Sequence, residues 1–110
     1  MEVKLEGMDE LIKKLKKNVK LDDVRKIVKY RGSELQRSAM RLAPVDTGTL
    51  YRGIGLDIKD SGMTAEVEPT ADYAPYVEYG TRKMSAQPFI RPAFRAQKSL
   101  FLSDLEKLMR

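Results

Sequence analysis

The chain has 110 residues, 42% of them hydrophobic, and 21 Lys+Arg against 16 Asp+Glu give a formal charge of +5, which suits one core and leaves too little length for a second. Cysteine and histidine are both absent, excluding disulfides, thiolate nucleophiles, Cys/His zinc sites, imidazole bases and any Ser-His-Asp arrangement. The basic balance attracts polyanions without reaching that of a dedicated nucleic-acid-binding protein, and short apolar runs behind an acidic Glu2 predict neither a signal peptide nor a spanning helix, hence a protein kept in the cytosol.

Val3 and Leu5 alternate with Glu2 and Lys4, the period-2 pattern of a short half-buried strand that Gly7 ends. Met8, Leu11, Ile12 and Leu15 then fall on one face of a short helix, with Lys13, Lys14, Lys16 and Lys17 on the rest. Beyond Asn18 a second helix is expected from about Leu21 to Asp23, where two acids suit the positive end of the helix dipole. Its apolar stripe runs Val24, Ile27, Val28, Leu35, Ala39 and Leu42. Gly32 costs that helix about 1 kcal/mol relative to Ala, which predicts a kink or a close helix contact. Pro44 stops it, because the ring pushes Ala43 out of the α region.

Asp46 and Thr47 are N-cap residues for one turn of helix leading into a strand. Ile54, Leu56 and Ile58 alternate, as do Met63, Ala65 and Val67, and Asp60-Ser61-Gly62 between them is turn chemistry, so a β-hairpin with one buried face is predicted. Pro69-Thr70 closes it. Tyr73, Ala74, Tyr76, Val77 and Tyr79 form a short helix that Gly80 terminates, and Thr81 to Gln87 is a polar loop with Arg82 and Lys83 and no acid. Pro92 suits the first turn of a long C-terminal helix carrying Phe94, Leu100, Phe101, Leu105 and Leu108.

Four features invite functional readings. Asp46-Thr47-Gly48 has the triplet of aspartic proteases, but those enzymes need paired carboxylates at the ends of hydrophobic strands, whereas this triplet follows Pro44 and a long helix. A cap and a backbone-freeing Gly explain it better. The lysines from Lys13 to Lys20 could bind phosphates, yet their apolar interleaving reads as a solvated helix face. Tyr73, Tyr76 and Tyr79 could stack on bases; the expectation is that they supply core area. Finally, residues 54–78 carry Asp57, Asp60, Glu66, Glu68, Asp72 and Glu78, whereas residues 82–98 carry Arg82, Lys83, Arg91, Arg95 and Lys98 and no acid. Such segments either join copies head-to-tail into a ring or neutralise each other within one subunit.

Three ordered blocks carry a family resemblance: Ala43-Pro44-Val45-Asp46-Thr47-Gly48-Thr49-Leu50, Tyr73-Ala74-Pro75-Tyr76-Val77-Glu78-Tyr79-Gly80-Thr81, and Ala86-Gln87-Pro88-Phe89-Ile90-Arg91-Pro92-Ala93. Together they resemble the tail-completion, or head–tail joining, proteins of long-tailed double-stranded DNA bacteriophages and prophages. The resemblance implies one domain over residues 1–110, of α+β class. A small, mainly antiparallel sheet, made of the N-terminal strand and the central hairpin, packs against the long helix and the C-terminal helix. It also implies a virion structural protein without catalysis, cofactor, metal or membrane contact. Its partners would be further copies of itself in a hexameric ring, the tail tube protein, a head-closure or connector protein, and phage DNA passing non-specifically through the lumen. Its place would be the head–tail interface, reached from the host cytoplasm.

Within that picture Arg82, Lys83 and Arg91 are the expected subunit or partner contacts. Charge reversal there is expected to impair ring formation without unfolding the chain. Pro44, Asp46, Thr47 and Gly48 form the adaptable connection, with the Thr81–Gln87 loop as a second adaptable element, while Phe89, Ile90 and Pro92 anchor the last helix. Head closure in the same particle, or a small basic DNA-binding module, are the alternatives.

Overall fold

A computed structural model describes residues 1–13, 19–44 and 49–109. The expected α+β architecture is present. Three strands, β1 (Val3–Glu6), β2 (Ile54–Lys59) and β3 (Thr64–Pro69), form an antiparallel sheet in the order β1-β3-β2. The hairpin supplies β2 and β3, and the N-terminal strand adds to the far side of β3 with Val3 opposite Val67 and Leu5 opposite Ala65. Gly7 is where strand passes directly into helix: α1 covers Gly7–Lys13. The Gly7 N–H donates to the Met63 carbonyl at 2.8 Å, fixing the exit from β1. Met8, placed by its spacing on a buried face, is exposed.

Helix α2 (Leu21–Leu42) has two acids in its first turn and ends where predicted, with Ala43 at φ −65°, ψ 139° before Pro44. Val24, Val28, Leu35 and Ala39 are fully buried against the sheet and the last helix, α5 (Ile90–Leu108). Leu42 departs from the expected stripe: it is exposed on the final turn, past the end of the packed face. The expected single turn of helix, α3 (Thr49–Arg52), leads into β2. At Gly32 the helix is regular. The close approach is to a strand, since a Cβ there would lie 2.5 Å from the Ala65 Cβ and 3.3 Å from Leu56 Cδ1.

α5 begins at Ile90, two residues earlier than Pro92 indicates, and buries Ile90, Ala93, Gln97, Phe101 and Leu105 along one face. Leu100 lies on the flank of that face and is exposed. Phe89 and Ile90 anchor the helix in the core, as expected. Polar ties fix how α5 crosses α2: Arg31 Nε donates to Asp104 at 2.6 Å, and Gln97 accepts from Arg31 and donates to Ser38. The pair holds the helices in register where apolar packing alone would allow sliding.

The hairpin turn Asp60–Gly62 places three successive residues at positive φ, two of them not glycine. Thr64 Oγ1 donates to Asp60 at 2.7 Å and Arg25 Nε to the Ser61 carbonyl at 2.8 Å, compensating that backbone cost from both sides. β3 is buried on its inner face and, at Thr64 and Glu66, also among its neighbours on the outer face, where Glu68 is exposed. Ala65 and Val67 face α2, and Thr64 and Glu66 are buried on the other side; in β2 the expected face is buried at Ile54, half-buried at Leu56 and exposed at Ile58, where the strand runs past the packed helix. Glu66 is shielded by Lys4 and Lys59, whose ammoniums lie 3.5 and 3.2 Å from its carboxylate; hydrogen bonding from Lys59 holds its pKa below the ordinary value against the cost of burial.

Candidate assembly surface

Helix α4 (Ala74–Tyr79) starts on Pro75 in its first turn and ends on Gly80 at φ +82°. That conformation is open to Gly and strained for other residues. The backbone then folds back so closely that a Cβ at Gly80 would meet the Ala86 nitrogen at 2.8 Å and the Met84 carbonyl at 3.0 Å. Gly80→Ala is therefore expected to displace the following loop and lower the melting temperature, a change that calorimetry would read directly.

Residues 81–84 form a tight turn: the Thr81 N–H donates to the Met84 carbonyl at 2.9 Å, and the Thr81 hydroxyl accepts from the N–H groups of Lys83 and Met84. Arg82 and Lys83 are exposed within it. The loop returns through Gln87, whose N–H donates to the Val77 carbonyl at 2.8 Å.

Immediately beyond, Glu78 closes the structure. Its side chain is 0% exposed. One carboxylate oxygen accepts from the N–H groups of Phe89 and Ile90 at 3.0 and 2.9 Å, and the other from the N–H of Arg91 at 3.3 Å and its Nε at 2.9 Å. A carboxylate thus caps α5 from another helix, satisfying donors that no residue of α5 itself satisfies and placing a negative charge at the positive end of the helix. Burial pushes the Glu78 pKa up. The Arg91 guanidinium and the backbone donors outweigh it and hold the group below its ordinary 4.5. Arg91 also donates to the Glu78 carbonyl and stacks 4.5 Å from the Tyr79 ring centroid.

The tyrosines do not supply core area. Tyr76 and Tyr79 are 62% and 59% exposed and Tyr73 is partly so, while Ala74 and Glu78 take the buried face of α4. Six residues are too few for periodicity to tell those faces apart. Tyr73 and Val77 line an apolar groove of about 190 Å³, closed by Pro44, Leu50, Met84 and Gln87, with Met84 itself exposed. Exposed tyrosine and methionine beside two cations is the composition of an interface core with a charged rim.

Of the residues singled out from sequence, Arg82 and Lys83 are at the surface and Arg91 is committed to Glu78. Pro44 borders the groove, and Asp46, Thr47 and Gly48 lie outside the described residues. The opposed charge segments also meet in part within the subunit, through Glu78 and Arg91. Glu78 was missed as a structural residue. Its only signal is an acid placed among apolar and aromatic neighbours in Tyr76-Val77-Glu78-Tyr79.

Residues 7–80 match the family model described as "Bacteriophage HK97-gp10, putative tail-component". The chain belongs to this family. Membership makes it a bacteriophage tail component with a structural role in the virion, where it contacts other virion proteins. The part matched to the tail-component family runs from α1 through α4 and ends on Gly80, so it contains Glu78 and the groove-lining tyrosine but neither the 81–84 turn nor α5. No curated protein and no solved structure matches the chain. No helix among the described residues is long and apolar enough to cross a membrane.

Proposed function

We propose that this tail component completes the head-proximal end of the tail and joins it to the head, assembling there as a hexameric ring without catalysis. On this reading one surface meets the tail tube protein and another a head-closure protein, and phage DNA passes through the lumen. The observation that carries it is the exposed tyrosine and methionine groove of α4 beside Arg82 and Lys83 in a member of a tail-component family. Apolar area of this kind on a small protein is characteristic of a surface awaiting a partner. Pro44 and the segment that follows it, Asp46 to Gly48, adjoin the groove in sequence and are the connection that adapts on docking.

Deleting the gene tests the role: filled heads and finished tails that remain separate are expected, whereas emptied heads would assign the protein to head closure. Arg82→Glu with Lys83→Glu is expected to reduce incorporation into particles at least several-fold while leaving the melting temperature unchanged, since neither residue pairs within the fold among the described residues. Normal incorporation of that variant would remove the two cations from the contact. Arg91 is left out of the test, because reversing it would place a carboxylate against Glu78.

A further inference from the structure

We propose that the solvent face of α2 in one copy docks on the outer face of the sheet in the next, an assignment that rests on the ring reading and names the two faces of the ring contact. Lys26, Lys29, Tyr30, Arg37 and Arg41 recur at helical spacing along α2 and are exposed, making a basic stripe about 23 Å long. Among the described residues Lys26 and Lys29 make no ion pair, and the acid within the stripe, Glu34, is already engaged by Arg37 at 3.1 Å.

The opposite side of the molecule is acidic. Strand alternation and register turn Glu2, Glu6, Asp57, Glu66 and Glu68 outward, against Lys4 and Lys59. Glu2, Glu66 and Glu68 bring carboxylate oxygens within 4.8 Å of one another, and both ammoniums are drawn to Glu66. Lys59 also reaches Asp57 at 3.8 Å and Lys4 reaches Glu2 at 3.6 Å, which leaves Glu68 without an ion pair among the described residues and Asp57 weakly paired and largely in solvent. β2, with six residues, is about 20 Å long, close to the length of the stripe.

Shape supports the pairing as well. The molecule measures 53 × 20 × 18 Å, and the 22-residue α2 is about 33 Å long, so the helix lies along the long dimension and its stripe occupies a long side. Only the long sides can supply the roughly 800 Å² per partner of a stable interface. The sheet faces the other way across α2, which makes the contact heterologous, the kind that closes into a ring. Near the N-terminal end of the stripe Tyr30, 56% exposed, stands among the cations as a knob. On the sheet, Gly55 opens a hollow of about 170 Å³ rimmed by Asp57, Glu66 and Glu68.

The test uses the whole chain. Sedimentation velocity at low and high salt should show salt-sensitive oligomers, weakened about tenfold by Lys26→Glu with Lys29→Glu, weakened equally by Asp57→Lys with Glu68→Lys, and largely restored when the two reversals are combined or mixed. Gly55→Val fills the hollow where an added Cβ meets nothing nearer than 3.8 Å, so it should block association with melting unchanged. Lys29→Cys with Glu68→Cys, in a chain without natural cysteine, should give a ladder of oxidised oligomers in solution and in purified particles. Oligomers indifferent to every one of these variants would overturn the choice of faces and leave the ring standing. A chain monomeric in solution that also yields no ladder in particles would overturn the ring, and this contact with it. Loss of retention on duplex DNA by the α2 variant, with association intact, would assign the stripe to DNA and overturn the proposal.

Discussion

Glu78→Ala should be the most damaging single change in the α4–α5 region, lowering stability by roughly 3–5 kcal/mol, the cost of breaking a buried, hydrogen-bonded charge pair. On a fold worth about 5–15 kcal/mol in total this corresponds to a fall in melting temperature on the order of 15 °C. The reason is an accumulation of donors: three backbone N–H groups and the Arg91 Nε converge on one carboxylate, and removing it leaves the N-terminus of α5 without acceptors. Arg91→Leu should cost less, about 1.5–3 kcal/mol, because the backbone donors still hold the carboxylate and the guanidinium is partly in water. Glu78→Gln is intermediate, since its amide N–H₂ must face the Arg91 donors. Combining it with Arg91→Leu should recover part of the loss, a coupling that a double-mutant cycle in urea would measure.

The same carboxylate sets an acid limit. Its folded pKa lies below the ordinary 4.5, so the folded state binds this proton less readily than the unfolded chain. The contribution is complete above about pH 4.5 and is lost as the pH falls through the folded value. Urea midpoints from about pH 7 to pH 3 should decline in the wild type and decline less in Glu78→Gln. Glu66 is shifted in the same direction, so Glu66→Gln serves as the parallel control. Equal slopes in wild type and Glu78→Gln would show that Glu78 contributes no acid sensitivity.

Gly32→Val should be the second large loss, about 3 kcal/mol, at the upper end of the cost of overpacking. The first added carbon would sit 2.5 Å from the Ala65 Cβ, an atom with no rotamer to relax into, and the branched chain would also press on Leu56. The helix must lift from the sheet or the strand must move. Gly32→Ala sets the same clash against the roughly 1 kcal/mol that helix propensity returns. Ala65→Gly should rescue Gly32→Ala, because it removes the opposing atom itself. A Gly32→Val variant that melts with the wild type would show that α2 and β3 can separate there at no cost.

Periodicity made α2, the hairpin and the α5 core legible because each is long enough for its pattern to repeat. Val24, Val28, Leu35 and Ala39 mark one face, and Ile54, Ala65 and Val67 alternate as a half-buried sheet requires. It failed at α4, where size and apolarity pointed to the tyrosines and the packed residues are Ala74 and Glu78. A charge reads as surface until its partners are known, and those partners lie on the far side of the 81–88 loop. Arg82 and Lys83 could be placed on an exposed loop from composition, whereas the commitment of Arg91 to Glu78 could not. Charge separation is likewise visible in the sequence, where it runs between consecutive segments, 54–78 and 82–98. Strand alternation and helical spacing redistribute it between the sheet face carrying Glu2, Glu68 and Asp57 and the helix face carrying Lys26 and Lys29.

The strand order β1-β3-β2 has a consequence for biosynthesis. Residues 3–6 leave the ribosome early, yet their hydrogen-bonding partners at residues 64–67 follow only after α2 and β2 have been made. α5, which covers the rest of α2, comes later again. Closure of the sheet is therefore a late, non-local event, and a nascent chain bearing an unpaired edge and a half-covered helix must be kept from its neighbours until then.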